Sequence, residues 1–289
     1  MGKRRLFCQI SPVTFKISRR KCILLRQLTD ILSSCRFARE RCMRPLPVVV
    51  YRHNSLIRRK LGNTEPELQE NKAVNLSIAA PKVTGIIIRP GETFSFWRLV
   101  GEDSAHRGYK EGLTIAGGRP SRGTGGGLCQ FTNLIHWMIL HSELTITEHH
   151  HHDGLDLFPD YKRQIPFGTG TSIVYNYLDY RFRNDTANTY QILVRTDGEY
   201  LRGELRALNP QSNSYHIHAE DEFFSEENGV VYRNGTVYRD TIDKHSGSCI
   251  SRRILRRNHA RVMYDTSSLE IKHIIISGQK KPECDLTSG

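Results

Sequence analysis

The chain is poor in the features that settle a protein's class quickly. No run of about eighteen or more apolar residues occurs among its 289, which argues against a transmembrane helix. The first residues are basic, but no apolar stretch with a small-residue cleavage site follows them, so no secretory signal is expected. The seven cysteines are odd in number and none forms a CxxC pair. This points to reduced thiols and not to a disulfide framework. The expected location is the cytoplasm or the inner face of the membrane. Acids are scarce at one end: residues 1–60 hold sixteen Lys/Arg and two acids, a balance of +14 in a chain of +12, leaving −2 for the rest. Signatures of zinc fingers, RRM and KH modules are missing, so nucleic acid is not the partner this basic end suggests. No internal repeat is visible.

With 25% charged residues, 9% aromatics and a mean hydropathy of −0.49, the composition is that of a soluble globular protein. The basic end is helical in pattern. From Ile17 to Cys42 an apolar stripe of Ile23, Leu24, Leu28, Ile31 and Leu32 runs through Lys and Arg. Such a helix suits an anionic membrane surface, or it packs on its own domain. Pro45-Leu46-Pro47 ends the pattern.

The most informative stretch is Gly125-Gly126-Gly127-Leu128-Cys129-Gln130. Leu128, Phe131, Leu134, Ile135, Met138 and Ile139 recur at helical spacing, which places Cys129 in a helix's first turn. Unpaired N–H groups and the positive helix end favour a thiolate there. The glycines admit positive φ and a close ligand. Leu144 to Glu148 alternates as a strand. The helix climbs roughly 18 Å at about 1.5 Å per residue, and the strand returns at about 3.3 Å per residue. His149-His150-His151-His152-Asp153 therefore comes back to the level of Cys129. Strand parity puts His150 and His152 on one face, His149 and His151 on the other. The plainer alternatives are a small buried hydrophobe for Cys129 and a solvated loop for the histidines. His136, two helical turns from Cys129, reads as a core residue.

From residue 84 the chain reads as β-rich around this one helix. Strands are expected at Ile86–Ile88, Thr93–Trp97, Leu113–Ala116, 172–177, Tyr180–Arg183, Tyr190–Arg195 and Tyr200–Leu205. Further strands are expected at Arg252–Tyr264 and 269–276. Val230 to Arg239 reads as a hairpin turning at Asn234-Gly235, and Asn75 to Pro81 as a short helical turn ended by Pro81. The expected fold is α+β, a largely antiparallel sheet packed on the Cys129 helix. Its organisation is a basic helical segment over 1–44, a domain over 45–276 with its motif core at 84–195, and a loose tail over 277–289.

Several motifs together resemble the VanW family, named for an accessory protein of B-type vancomycin-resistance gene clusters. They are Arg89-Pro90-Gly91-Glu92-Thr93-Phe94-Ser95-Phe96-Trp97, the spaced Gly101, Gly108-Tyr109 and Gly112, the triglycine–Cys129–Gln130 stretch, Glu148 to His152, Phe158-Pro159-Asp160, Pro166 to Gly170, and the run from Tyr175 to Asn184. His152 matches the family's histidine and His150 a frequent second one. His149 and Asp153 stand where the family usually has Arg and Ser. The resemblance implies a cell-envelope and glycopeptide-resistance context and no defined reaction.

Three functions suit these residues. The first is a thiol hydrolase or transferase acting on a cell-wall precursor or peptide. Cys129 is its nucleophile, His152 or His150 its base, Asp153, Asp156 or Asp160 an orienting group, and the Gly126–Gly127 N–H groups its oxyanion donors. The second is a zinc site built on Cys129, His150 and His152, although nothing in the sequence requires a cofactor. The third is a non-catalytic envelope-associated binding module whose ligand sits at Gly125, Gly126, Gly127 and Gln130, docked on the membrane through residues 1–44.

Overall fold

The structure is a computed structural model describing residues 7–59, 65–116, 119–151, 154–160, 165–175 and 177–273. The chain opens with helix α1 (Pro12–Leu32), followed by strands β1 (Arg36–Phe37) and β2 (Val48–Leu56). Helix α2 (Pro66–Val83), strands β3 (Ile86–Ile88) and β4 (Glu92–Ser95), and the short helix α3 (Phe96–Val100) come next. The hairpin β5 (Glu111–Ala116) and β6 (Arg119–Thr124) leads into helix α4 (Cys129–Leu140), strand β7 (Thr145–Glu148) and strand β8 (Leu155–Asp156). Strands β9 (Arg181–Arg183), β10 (Tyr190–Thr196) and β11 (Tyr200–Ala207) complete the first half. The long strands β12 (Asn213–Glu227), β13 (Val230–Asp243) and β14 (Cys249–Val262), with β15 (Ile271–His273), form the second.

The fold is α+β and mostly antiparallel. One sheet has the order β2-β11-β10-β3, a second β1-β4-β9-β7, a third β15-β12-β13-β14-β8, with β5-β6 a separate hairpin. Among the described residues, parallel pairs occur only where β1 meets β4, β15 meets β12 and β8 meets β14. Helix α4 lies on β2 and β11. Its approach is set by Gly203 of β11, where a Cβ would fall 2.5 Å from Leu134 Cδ2 and 2.9 Å from Met138 Cε. Phe131, Leu134, Ile135 and Met138 join Phe94, Phe96, Phe182 and Ile192 in the main core. At about 25 cal/mol per Å² of apolar surface, this shared core fixes α4, and so the position of Cys129.

Several elements differ from the sequence reading. Phe96 and Trp97, expected at the end of a strand, open helix α3 behind the Ser95 cap. Helix α1 starts earlier than Ile17 and ends at Leu32, because Ser11 caps it in a box with Thr14 and Pro12 opens it; residues 36–37 are strand. Helix α2 is one continuous helix with Pro81 in its last turn. Its buried positions include Gln69, Lys72 and Asn75, so no clean apolar stripe marks it in the sequence. Among the described residues of 172–177, Val174 makes an isolated bridge to Leu178 in place of a strand. Finally, Asn234-Gly235 lies inside β13. The hairpin turn is Asn228-Gly229, whose φ values of 52° and 76° are both positive. Gly235 sits opposite a bulge in β12 between Glu220 and Phe223, where a Cβ would approach Glu222 Cγ at 3.0 Å. The tail over 277–289 lies outside the described residues.

Candidate functional site

Cys129 is the first residue of α4, and the turn before it is built from glycine for packing reasons. Gly125 and Gly127 have φ of 75° and 93°, a region that L side chains avoid. Gly126 faces the backbone of Gly112 in β5, where a Cβ would meet the carbonyl carbon at 2.2 Å. Asn75 of α2 clips the turn: its amide donates to the Gly126 carbonyl (2.9 Å) and the Lys110 carbonyl (3.0 Å), and its oxygen accepts from the Lys110 N–H (2.7 Å).

The N–H groups of this turn are partly committed. Gly125 N–H donates to the Lys110 carbonyl and Gly126 N–H to the Gly123 carbonyl, so Gly126 is not a ready oxyanion donor. Gln130 is engaged as well: its amide donates to Ser55 Oγ and the Leu56 carbonyl, both at 2.8 Å. It straps α4 to β2 while still lining the cavity described below.

Cys129 is half-buried. Burial pushes its thiol up, and hydrogen bonds from the Ile173 and Cys129 backbone act in the opposite direction. Desolvation therefore outweighs those hydrogen bonds here. Thr132 Oγ1 and Thr171 Oγ1 donate to the Cys129 carbonyl at 3.1 and 3.4 Å. Asn133 Oδ1 accepts from the Thr171 N–H and hydroxyl at 2.6 and 2.8 Å. This pins the loop at 165–175 against the start of α4.

Cys129 opens into a cavity of about 450 Å³ between α4, the β5 strand and the β14 edge of the third sheet. Gly127, Gln130 and His151 also line it, as do Lys72, Arg59 and the β14 pair Arg256 and Arg257. Among its described lining residues Asp156 is the one acid, and Asp156 accepts a hydrogen bond from the Tyr264 hydroxyl at 2.9 Å. The cavity is thus cationic. Lys72 is 6% exposed. Burial, then the charges of Arg59 and Arg58, bring its amine down from 10.5 to about 7.

Beyond the end of β7, the described histidines 149–151 fall into two groups. His149 and His151 turn towards α4. Their rings lie 4.0 Å apart, and His149 lies 4.1 Å from the buried ring of His136. His149 Nε2 meets the Gly170 carbonyl at 3.0 Å. His136 Nδ1 meets the Tyr180 hydroxyl at 3.1 Å, and burial, then His149 and His151, holds it well below the ordinary histidine range. His150 points elsewhere: its Nε2 lies 2.9 Å from Glu148 Oε1, inside an ion-pair group with Arg26 and Arg181. The structure thus brings Cys129, Gly127, Gln130 and His151 to one cavity and places His150 on Glu148. His152 and Asp153 lie outside the described residues. Among the described residues no three His, Cys, Asp or Glu side chains converge on a metal position.

Lys72, His151 and the β14 arginines were not singled out from the sequence. Lys72 lies in a helix whose pattern is hidden by buried polar residues. Arg256 and Arg257 come from a strand more than a hundred residues away, and no local signal links them to Cys129.

A helix-borne cysteine behind a glycine turn, set in an α+β domain beside a cationic cavity, is the class of protein this geometry defines. The sequence model described as "VanW like protein" matches residues 71–206. The chain is 37% identical over 196 residues to the vancomycin B-type resistance protein VanW of Enterococcus faecalis, covering 68% of this chain and 71% of that protein. It is also 28% identical over 118 residues to the uncharacterized protein YoaR of Bacillus subtilis, covering 40% of this chain and 36% of that protein. The chain belongs to the VanW family. No solved structure matches it.

Proposed function

We propose that the chain is a vancomycin-resistance-associated protein of the cell envelope, and that it is a thiol enzyme acting on an acidic peptide or cell-wall precursor. The observation that carries this reading is the shared cavity of Cys129, Lys72 and His151 with Arg59, Arg256 and Arg257. The arginines suit carboxylates, which they bind through paired N–H groups. A buried amine titrating at about 7 is neutral in a large share of molecules at neutral pH and accepts a thiol proton then. Cys129 Sγ attacks a carbonyl carbon, its proton passes to Lys72 or to a histidine of the 149–152 run, and the leaving amine takes that proton as the C–N bond breaks. Water or an acceptor amine then cleaves the thioester, which returns the thiol.

The test is mass spectrometry of the protein incubated with purified cell-wall stem peptides. An acyl adduct on Cys129, with product formation lost in Cys129→Ser, is the expected result. Full turnover by Cys129→Ser contradicts it.

The raised thiol and the engaged Gly126 N–H favour a second reading, a binding module for the same acidic ligands. Equal stem-peptide affinity in the parent and Cys129→Ser proteins, with no product from either, would establish that reading.

A further inference from the structure

Helix α1 presents itself to the body the wrong way round for an ordinary surface helix. Val13, Ile17, Leu24, Leu28 and Ile31 follow one another at steps of four, seven, four and three, which is one stripe of a helix. They are 51–75% exposed. Leu25 and Leu32 widen the stripe, and both are also exposed.

The face turned inward is ionic. Arg26 forms a two-bond pair with Glu148 (2.5 and 2.7 Å) and donates to the Tyr177 carbonyl (3.1 Å). Asp30 takes two bonds from Arg181 (2.7 and 2.9 Å) and one from Arg98 (3.3 Å). Asp30 is the one acid of α1, and its side chain is only 6% exposed. Lys16, Arg20 and Lys21 remain exposed beside the stripe. The outward face is therefore apolar and cationic, with no exposed acid. Nothing in α1 is long and apolar enough to cross a bilayer; the helix is about 30 Å long at roughly 1.5 Å per residue.

We propose that α1 lies in the plane of an anionic phospholipid bilayer, with the Val13–Ile31 stripe inserted among the acyl chains and Lys16, Arg20 and Lys21 at the headgroups. The Asp30–Arg181 and Arg26–Glu148 pairs then hold the body against that surface. Apolar burial and attraction to anionic lipid combine in such helices. The charge face favours an anionic bilayer over a second copy of this chain, whose own α1 would bring like charge.

The test is sedimentation of the full chain with phosphatidylglycerol-containing vesicles and, separately, with pure phosphatidylcholine vesicles. Binding to the first that weakens at high salt is expected. Leu24→Ser/Leu28→Ser should lower the partition at least about tenfold while leaving the melting temperature unchanged, since both side chains face outward. As a second measurement, Leu28→Trp should shift its emission to the blue when the anionic vesicles are added. Equal binding to both vesicle types, unchanged binding of the double variant, or an unshifted Trp would overturn the proposal. So would a concentration-dependent dimer that the double variant abolishes without any vesicle binding.

Discussion

Lys72 lies across Gly127. A Cβ built on Gly127 would stand 2.2 Å from Lys72 Cγ and 2.7 Å from its Cδ. The glycine turn ahead of Cys129 and the buried amine beside it therefore form one packed unit. The lysine stem covers the turn.

Substitution in the turn separates backbone from side-chain crowding. Gly127→Ala meets a flexible lysine stem in a positive-φ position, and a loss of about 1–3 kcal/mol is expected. Gly126→Ala meets the Gly112 backbone at 2.2 Å, which cannot swing aside, so a larger loss is expected. Thermal denaturation of the two variants should place Gly126→Ala clearly below Gly127→Ala; the reverse order would contradict the packing described.

The depressed amine has a consequence for stability. Lys72 titrates at 10.5 when exposed and at about 7 in the fold. Between those values the unfolded chain binds more protons, so Lys72 makes stability rise with pH across that window. Lys72→Met should be more stable than the parent at pH 7, by an amount of order a few kcal/mol, and the gap should close towards pH 10.5. Denaturant titrations at several pH values check this; a gap that does not vary with pH would mean that the amine keeps its ordinary affinity for protons.

Acid acts through a second group. Burial, with Arg59 adding, lowers His53 to about 4. Burial also lowers His141 to about 4, and its bond to the Trp137 carbonyl opposes that. Both are depressed from 6.5, so the stability they allow is complete above that value and is lost as pH falls towards 4. His141 stacks on Tyr51 at 3.7 Å, where the third sheet meets the end of α4. Melting temperature should fall steeply between pH 6.5 and 4, and His53→Phe should flatten part of that fall. An unchanged slope in the variant would exclude His53 as a contributor.

The α1 anchor is a largely buried ionic group. Asp30→Asn removes one carboxylate from Arg181 and leaves the guanidinium with Asp179 and Glu148. Because Arg181 keeps those two carboxylates, the cost should stay below the about 3–5 kcal/mol of a buried charge left alone. The loss should appear as faster proteolysis within residues 12–35, ahead of global unfolding. Cleavage at the parent rate would show that α1 is held by other contacts.

The α4 helix and the return of β7 were legible because apolar periodicity and strand alternation are local. The α+β class followed from the same patterns. Helix α2 was not legible, since Lys72 and Asn75 are buried where a pattern reader expects apolar residues. Asn234-Gly235 misled because an Asn-Gly pair serves a bulge partner as well as a turn, and only the pairing of β12 with β13 distinguishes the two. β12 itself, with its His and Glu content, shows no clean alternation. The cavity was least legible of all. Arg256 and Arg257 reach the cavity through long-range pairing of the third sheet, and the commitment of the Gly126 N–H depends on where Gly123 lies.

We propose that Cys129 works as a nucleophile in concert with Lys72. The most direct measurement is the pH dependence of iodoacetamide alkylation at Cys129, read by peptide mass spectrometry in the parent and in Lys72→Met, each with and without a chelator. Alkylation of the folded protein that is insensitive to chelator, and whose pH profile is displaced in Lys72→Met, is the expected result. Alkylation that occurs only on unfolding, with the same profile in both proteins, would make Cys129 a packed core residue and contradict it.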